Sequence, residues 1–378
     1  MKRSIVPFGL AAILLLVFVL GCAQIPGTNT GTPETQPAPD PGTGTPDSGW
    51  TETRLPAGYG AHASWIDIYF TDPESPLASQ ETGGPDGPLA ASIDAARLTV
   101  DVAIYSLNLR SIRDALIRAH ERGVQVRVVM ESDNMDGSAP QALIEAGIPV
   151  VGDRREGLMH DKFVVIDRSE LWMGSMNFTY SGTYEDNNNL IHFRSKKMAE
   201  NYTKEFEEMF IDDKFGDHIA PETPNPVVTI DGTPIAVYFS PDDGIALQLN
   251  ELLNLADKSI HFLAFSFTTD EFGETIRQKA QNGLTVAGVM EEEQVKSNVG
   301  TEYDLFQQAG LDVLIDGNEG QMHHKVIIID EQIVITGSYN FSRSAETRND
   351  ENLVVIDNEQ IAGYFMQEFQ RVYQVAKD

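Results

Sequence analysis

The 378-residue sequence contains a single cysteine, Cys22, and no cluster of potential metal ligands. One cysteine excludes a disulfide bond within the chain. The sequence has neither the Cys/His spacing of a zinc site nor a His-Glu-x-x-His segment. We therefore predict no metal site and no cofactor.

Positively charged residues are also scarce. The 27 lysines and arginines stand against 57 aspartates and glutamates, which gives a formal net charge of −30. Such a charge keeps a protein soluble and repels polyanions on average. It argues against a non-specific nucleic-acid binder, although a local basic patch can override the field of the whole protein. The hydrophobic content of 41% is nevertheless sufficient for two domains.

Residues 1–21 are typical of an export signal peptide. Two basic residues at positions 2 and 3 precede an apolar run over 5–20, which is shorter than the roughly 20 residues of a membrane span. An uncleaved membrane anchor is the alternative. The end of the run, Val-Leu-Gly-Cys at 19–22, resembles the lipobox of bacterial lipoproteins. That resemblance implies a lipidated Cys22 in an exported, cell-envelope protein anchored to a bacterial membrane.

The segment that follows has almost no large apolar residues. From 22 to 58 it is dominated by Pro, Thr, Gly and Ser, a composition that buries too little surface to fold. We predict a disordered tether over 22–58 between the lipid anchor and the folded body.

The remaining sequence predicts an α/β protein built from an internal duplication. Apolar β-branched runs alternate with segments of helical periodicity, which indicates a parallel or mixed sheet covered by helices on both faces. The same order recurs after about residue 225, at offsets of 160 to 169 residues. We predict a first half over 59–220 and a second half over 221–378. No protein partner is predicted, and a monomer is expected.

Two segments with identical internal spacing are the most informative feature of the sequence. Each has His-x-Lys, four residues, Asp, six residues and then Gly-Ser-x-Asn. The first motif spans 160–177 and the second spans 323–340. Their members are His160, Lys162, Asp167, Ser175 and Asn177 in the first motif, and His323, Lys325, Asp330, Ser338 and Asn340 in the second.

The residue types in these motifs point to phosphate chemistry. Residues i and i+2 of a strand face the same side, so each histidine is expected to point with its lysine into one anion site. Gly-Ser-x-Asn supplies a close backbone approach and polar donors for phosphate oxygens. Covalent phosphodiester hydrolysis needs two proton-transfer groups, a nucleophile and an acid. We therefore expect the two motifs to meet in one active site at the interface of the halves.

This double motif resembles the phospholipase D superfamily over roughly residues 60–375. The resemblance implies two similar α/β/α sandwich halves and a metal-independent reaction through a phosphohistidine. It also implies that the His, Lys and Asn residues of both motifs line the pocket, with Asp167 and Asp330 in a supporting role. Glu351 fits the acidic residue that follows the second motif in the family, whereas Asn188 stands at the equivalent place in the first half. The resemblance to this family favours His160 as the nucleophile and His323 as the general acid.

The sequence leaves the substrate open between two classes. A phospholipid head group, as in conversion of phosphatidylcholine to phosphatidic acid, suits a membrane-anchored protein with a charge of −30. An exported nuclease of the same superfamily, cleaving DNA or RNA, suits the small size of the body. A non-catalytic envelope binding protein is the third hypothesis. We expect a phospholipase D-like phosphodiesterase that acts on lipid.

Overall fold

A computed structural model of the chain describes residues 49–216 and 221–377. These described residues group into one compact unit. Within the described residues, this unit contains two mixed β-sheets, one from each half of the sequence. The two sheets and their helices confirm the predicted α/β fold with an internal duplication.

The first sheet has nine strands in the order β1-β2-β3-β9-β8-β7-β4-β5-β6 among the described residues. Its strands are β1 (Thr51–Leu55), β2 (Gly58–Ala63), β3 (Ile66–Thr71), β4 (Thr99–Ile104), β5 (Gln125–Met130), β6 (Val150–Gly152), β7 (Lys162–Ile166), β8 (Glu170–Gly174) and β9 (Asn189–Phe193). Its helices are α1 (Asp86–Ala95), α2 (Arg110–Glu121), α3 (Ser138–Glu145), α4 (Tyr180–Tyr184) and α5 (Lys196–Phe210).

The second sheet has eight strands in the order β10-β11-β17-β16-β15-β12-β13-β14 among the described residues. Its strands are β10 (Val227–Ile230), β11 (Thr233–Ser240), β12 (Ser259–Ala264), β13 (Thr285–Met290), β14 (Asp312–Ile315), β15 (Lys325–Ile329), β16 (Ile333–Gly337) and β17 (Glu351–Asp357). Its helices are α6 (Ile245–Leu255), α7 (Asp270–Gln281), α8 (Glu292–Ser297), α9 (Tyr303–Gln308), α10 (Arg343–Thr347) and α11 (Glu359–Val375).

The two sheets have the same topology. In each, three strands run parallel through helical crossovers (β4-β5-β6 and β12-β13-β14), and the motif strand lies antiparallel beside the first of them (β7 on β4, β15 on β12). The motif strands are buried along their whole length. Their Phe-Val-Val-Ile and Val-Ile-Ile-Ile sequences suit that position because β-branched and aromatic residues fit a covered sheet.

The predicted periodicity of the last helix of each half is confirmed by its burial. Met198, Tyr202, Phe206 and Met209 of α5 are buried, as are Phe365, Phe369, Val372 and Tyr373 of α11. Both helices share one hydrophobic core with residues from both sheets. Separate outer cores lie beneath the other helices of each half. The two halves are therefore joined by a common apolar layer.

The predicted end of the tether at residue 58 is wrong. Strand β1 lies within that segment and pairs antiparallel with β2. Trp50 packs on Trp65 and Tyr364, with ring centroids 6.2 and 5.5 Å away. One aromatic residue and a short hairpin strand are enough to attach this Pro- and Thr-rich segment to the body, so the fold begins before β1. Cys22 and the signal peptide lie outside the described residues.

Candidate active site

The two motifs meet where the halves touch. Backbone N–H of His160 donates to the carbonyl of Asp350, and N–H of His323 donates to the carbonyl of Asn187, each over 3.0 Å. Isolated parallel bridges join Met159 to Asp350 and Asn187 to Met322. The segment that enters each motif is therefore held by the backbone of the other half.

Each motif lysine is buried beneath its own histidine. Lys162 Nζ donates to the carbonyl of His160 over 2.6 Å, and Lys325 Nζ donates to that of His323 over 2.7 Å. The aromatic rings of Tyr105 and Phe265 lie 5.3 and 4.5 Å from these ammonium groups.

Burial changes the protonation of both ammonium groups. It lowers the pKa of Lys162 to about 7 and holds that of Lys325 well below its ordinary value. A phosphate between two such cations supplies the missing negative charge and favours their charged forms.

The histidine side chains receive their partners from the opposite halves. Glu351 Oε2 lies 2.7 Å from Nδ1 of His160, and Asn188 Oδ1 lies 2.9 Å from Nδ1 of His323. The Nδ2 group of Asn188 donates to Gly182 O, so its Oδ1 is the atom that faces His323 as an acceptor. Both imidazoles therefore carry hydrogen on Nδ1, and neither Nε2 has a partner among the described residues.

The two imidazoles differ in how well their surroundings stabilise a positive charge. Burial lowers the pKa of His160 to about 4, although the carboxylate of Glu351 opposes that shift. Burial and then the charges of Lys325 and Lys162 lower the pKa of His323 well below its ordinary value. Asn188 brings no charge to oppose the shift of His323. A positive charge is therefore better stabilised on His160 than on His323.

The serines of the Gly-Ser-x-Asn turns hold the histidine partners rather than face a substrate. Ser175 Oγ donates to Asn188 Oδ1 over 2.8 Å and accepts from Asn189 N. Ser338 Oγ accepts from Asn352 N over 3.0 Å and interacts with Glu351. Both serines are fully buried. Their expected contact with phosphate is replaced by a positioning role.

The asparagines of the same turns have unpaired amide oxygens among the described residues. The side-chain amides of Asn177 and Asn340 have no hydrogen-bond partner within residues 49–216 and 221–377, and their Oδ1 atoms are buried. Each follows the strand beside a motif strand. These amides are the neutral hydrogen-bonding groups that remain for a ligand.

The motif aspartates lie at the other end of the motif strands. Asp167 accepts from backbone N–H of Arg97, Leu98 and Thr99. Asp330 accepts from Asp257, Lys258 and Ser259 in the same way.

These bonds define what the aspartates support. Each carboxylate fixes the start of a neighbouring strand, β4 or β12, rather than the pocket. The predicted supporting role is therefore a role in the fold.

Sequence reasoning did not find the exchange of partners between halves. It placed Glu351 beside its own motif, whereas Glu351 supports His160. It assigned no definite role to Asn188, whereas the Asn188 side chain supports His323. The sequence did contain one signal of this exchange: Glu351 and Asn188 lie equally far along the chain from the histidines of their own motifs. His324, which alternates with His323 and was expected to be packed or exposed rather than catalytic, is buried with Nε2 2.8 Å from Glu368 Oε1.

The described part of the chain contains neither a group of metal ligands nor a membrane-spanning helix. No group of three or more His, Cys, Asp or Glu side chains there is arranged to hold a metal ion. No helix in that part is long and apolar enough to cross a membrane. The metal-free reaction and the lipid anchor remain predictions.

Comparison with known proteins agrees with this geometry. Residues 89–210 and 249–373 both match the family described as "Cardiolipin synthase, PLD-like domain". A phospholipase D of Rickettsia typhi is 33% identical over 133 residues, which cover 35% of this chain and 65% of that protein. The human mitochondrial cardiolipin hydrolase is 30% identical over 127 residues, 34% of this chain and 50% of that protein. The chain thus spans less than two thirds of these relatives.

A solved structure extends the likeness of fold to both halves. The phosphatidylserine synthase of Haemophilus influenzae Rd KW20 superposes with a TM-score of 0.60 at 12% identity. The superposition covers 77% of this chain and 84% of that chain.

Proposed function

Because the chain belongs to the phospholipase D superfamily, in the family of cardiolipin synthase, PLD-like domains, we propose that it is a metal-independent phosphodiester hydrolase. The observation that carries the proposal is the pair of histidines that take their Nδ1 partners from opposite halves. Both Nε2 atoms remain free for reaction. One such atom suits a nucleophile and the other suits an acid.

His160 is the proposed nucleophile. Its Nε2 lone pair attacks phosphorus, and the bond from phosphorus to the leaving alcohol breaks. The imidazole becomes positively charged in the phosphohistidine, and Glu351 offsets that charge through Nδ1–H. This carboxylate supports His160 and not His323, which is why we assign the roles in this order.

His323 is the proposed acid and then base. In its protonated form it gives the Nε2 proton to the departing oxygen. Its neutral partner Asn188 does not hold that proton by charge, so the proton leaves readily. In the second step Nε2 of His323 takes a proton from water. The water oxygen bonds to phosphorus, and the electron pair of the P–N bond returns to His160.

The remaining site residues stabilise charge on the phosphoryl group. Lys162 and Lys325 lie beneath the histidines and flank the phosphoryl oxygens as these gain charge. We assign donation to the phosphoryl oxygens to the Nδ2 groups of Asn177 and Asn340, whose Oδ1 atoms have no partner among the described residues. These four side chains hold the phosphorus atom between the two Nε2 atoms.

The proposed substrate is a phospholipid, with the head-group alcohol as the leaving group. The named activities of the relatives, phospholipase D and cardiolipin hydrolase, support this class. The net charge of −30 disfavours long polyanions such as DNA. A signal peptide would direct export of the chain, and a lipidated Cys22 would then hold the body at a bacterial membrane. This location is part of the proposal.

The body from residue 48 onward tests the proposal directly. Phosphatidylcholine vesicles, cardiolipin-containing vesicles and single-stranded DNA are offered to the same preparation, with His160→Ala as the control. We expect release of head group from lipid that the control lacks and that excess EDTA leaves unchanged. Cleavage of DNA alone would establish the nuclease alternative, and no cleavage with retained binding would indicate a binding protein.

The anchor has its own test in the full chain. Cys22→Ser should release the protein from membranes of an expressing bacterium, because lipidation at Cys22 is then lost. Unchanged membrane retention would instead favour an uncleaved apolar helix. Membrane fractionation with the unsubstituted chain as the control distinguishes the two.

A further inference from the structure

A second bond between the halves lies beside the His160–Glu351 contact. Asn352 Nδ2 donates to Asp161 Oδ1 over 2.6 Å. Asp161 directly follows His160, and Asn352 directly follows Glu351. Two consecutive residues of one half therefore contact two consecutive residues of the other.

Both members of this second bond are fixed in the interior. Asp161 and Asn352 are completely buried. Asn352 N donates to Ser338 Oγ, and the hydroxyl of Tyr202 donates to Asn352 Oδ1 over 3.3 Å. Asp161 Oδ2 has no hydrogen-bond partner in the described chain. Asn352 therefore has several contacts, whereas the side chain of Asp161 depends on Asn352 alone.

The equivalent place in the second half is arranged differently. His324 occupies the position of Asp161, and Asn189 occupies that of Asn352, at the offset of 163 that relates the two motifs. Asn189 Nδ2 lies 3.2 Å from His324 Nδ1 and also donates to Thr336 Oγ1. His324 has a further partner in Glu368. The contact between halves at His324 is thus longer and is not the histidine's only support.

We propose that Asp161 and Asn352 form an interhalf clamp that positions Glu351 on Nδ1 of His160. Neither residue touches the reacting atoms, so both are positioning residues. The inference rests on the proposed function only for its effect on rate. Its structural part, the tautomer and charge support of His160, holds for any activity of this site.

The clamp acts through geometry. Glu351 and Asn352 are the first two residues of β17, and their side chains leave the strand on opposite faces. Holding Asn352 therefore fixes the rotation of the strand that aims Glu351. Without the Asp161 bond, the strand end keeps its backbone bond from His160 N–H to Asp350 O but loses the side-chain bond beside it. A small rotation of the strand is then enough to break a contact of 2.7 Å.

The charges around His160 give the clamp a measurable pH signature. Glu351 from β17 raises the pKa of His160, whereas burial, Lys162 from β7 and Lys325 from β15 lower it. The other charged or titratable neighbours are His323, which responds to the charge of His160, and Tyr105, whose ring lies 5.1 Å from the imidazole. The carboxyls of Asp161, Asp350 and Glu131 lie beside the backbone that carries His160. Loss of the Glu351 contact leaves only the lowering influences. The pKa of His160 then falls.

The test compares Asp161→Ala, which removes the acceptor, with Asp161→Asn, whose amide oxygen can still accept from Asn352. In Asp161→Ala we expect kcat to fall at least tenfold with KM changed less than threefold. The low-pH limb of kcat/KM should move to lower pH, since His160 must be deprotonated to attack. Asp161→Asn should restore most of kcat and the original limb.

Nitrogen-15 NMR of histidine-labelled protein gives a readout that needs no activity. The unsubstituted chain and Asp161→Asn should give His160 signals of an imidazole protonated on Nδ1. Asp161→Ala should give mixed tautomers. His324→Ala, the matched substitution in the second half, should leave the His160 signals in place.

Several outcomes would overturn the clamp. They are an unchanged His160 tautomer in Asp161→Ala, an unchanged pH limb, or equal losses in Asp161→Asn and Asp161→Ala. If Asp161→Ala does not fold, Asn352→Leu removes the donor at similar volume, and Asp161→Asn must still retain the His160 signals. A protein inactive on every phosphodiester but with the expected NMR changes would contradict the proposed function and leave the clamp standing.

Discussion

The two halves of this protein share a fold and a motif but support their histidines with different chemistry. Glu351 of the second half places a carboxylate on His160, whereas Asn188 of the first half places a neutral amide on His323. A substitution of Glu351 or Asn188 should thus change the properties of the histidine in the opposite half. Duplication gave two equivalent sites on two equivalent sheets, and the replacement of a carboxylate by an amide at one of the exchanged partners made the two imidazoles unequal.

The residues behind the histidines differ as well. Asp161 in the first half meets only Asn352, while His324 in the second half belongs to a network with Glu368, Arg371 and Tyr59. The position equivalent to Arg371 is Glu208 in the first half. The second half therefore has a half-buried arginine that balances its carboxylate, and the first half has a glutamate at that position.

The largest expected effect separates the two histidines by role. His160→Ala and His323→Ala should each reduce steady-state hydrolysis of bis(p-nitrophenyl) phosphate by at least about 10⁴-fold, because turnover needs His160 to form the phosphohistidine and His323 to activate the water that breaks it. The p-nitrophenolate leaving group needs little acid catalysis. His323→Ala should therefore still release about one equivalent in a rapid burst, which stopped-flow absorbance measures.

The outcome for His160→Ala sharpens the same assignment. Removal of the nucleophile should abolish the burst as well as the turnover. A burst in His160→Ala and none in His323→Ala would reverse the roles. Full turnover in either variant would contradict a mechanism with paired histidines.

The next effect concerns the buried network of the second half. Glu368→Gln should lower the free energy of unfolding by about 3 kcal/mol, because it removes the buried carboxylate that pairs with the half-buried Arg371 and contacts His324. Urea unfolding followed by circular dichroism measures this change. Glu205→Gln, at the matched place in the first half, should change the stability by less than about 1 kcal/mol, since no arginine depends on Glu205.

The same glutamate sets a pH dependence. Burial alone would raise the pKa of Glu368, but Arg371 and His324 hold it at about 2, below its ordinary value of 4.5. Its stabilisation is therefore complete above about pH 4.5 and is lost as the pH falls towards 2. Glu368→Gln should flatten that part of the stability profile. An unchanged profile would show that the ion network does not contribute.

A smaller effect is expected from the partners of the histidines. Glu351→Gln should lower kcat about 100-fold, equivalent to about 2.7 kcal/mol, because the phosphohistidine loses its compensating charge. The pKa of His160 should fall with the loss of the carboxylate. The low-pH limb of kcat/KM then moves to lower pH, and a pH–rate profile measures it.

Asn188→Asp is the matched control for Glu351→Gln. It gives His323 a carboxylate partner and should raise the pKa of that histidine. Because His323 acts as an acid in the first step, the high-pH limb should move to higher pH. Identical profiles for both variants would mean that the two partners are interchangeable.

The smallest effect is expected where the halves are most alike. Asp167→Ala and Asp330→Ala should each lower the free energy of unfolding by about 2 kcal/mol, because each removes a carboxylate that accepts from three consecutive backbone N–H groups. The rate per folded molecule should not change. A loss of rate in only one variant would indicate that its strand also controls the site.

The sequence by itself determined the duplicated α/β fold, the strand that carries each motif and the candidate reactive residues. These follow from short-range patterns: His160 and Lys162 lie two residues apart, and an apolar β-branched run after them has few alternatives to a buried strand. The same local reasoning placed the core residues of α5 and α11. It extended the tether too far, because Trp50 gains its contacts only from distant residues.

Only the tertiary structure decided which residue supports which histidine. Glu351 lies 191 residues from His160 along the chain, and Asn188 lies 135 residues from His323. Such contacts depend on how two complete sheets approach each other, which no local periodicity encodes. The burial that shifts the pKa values of His160 and Lys162 has the same origin. The spacing of the motifs thus predicts the reactive groups, and the interface between the halves makes one histidine differ from the other.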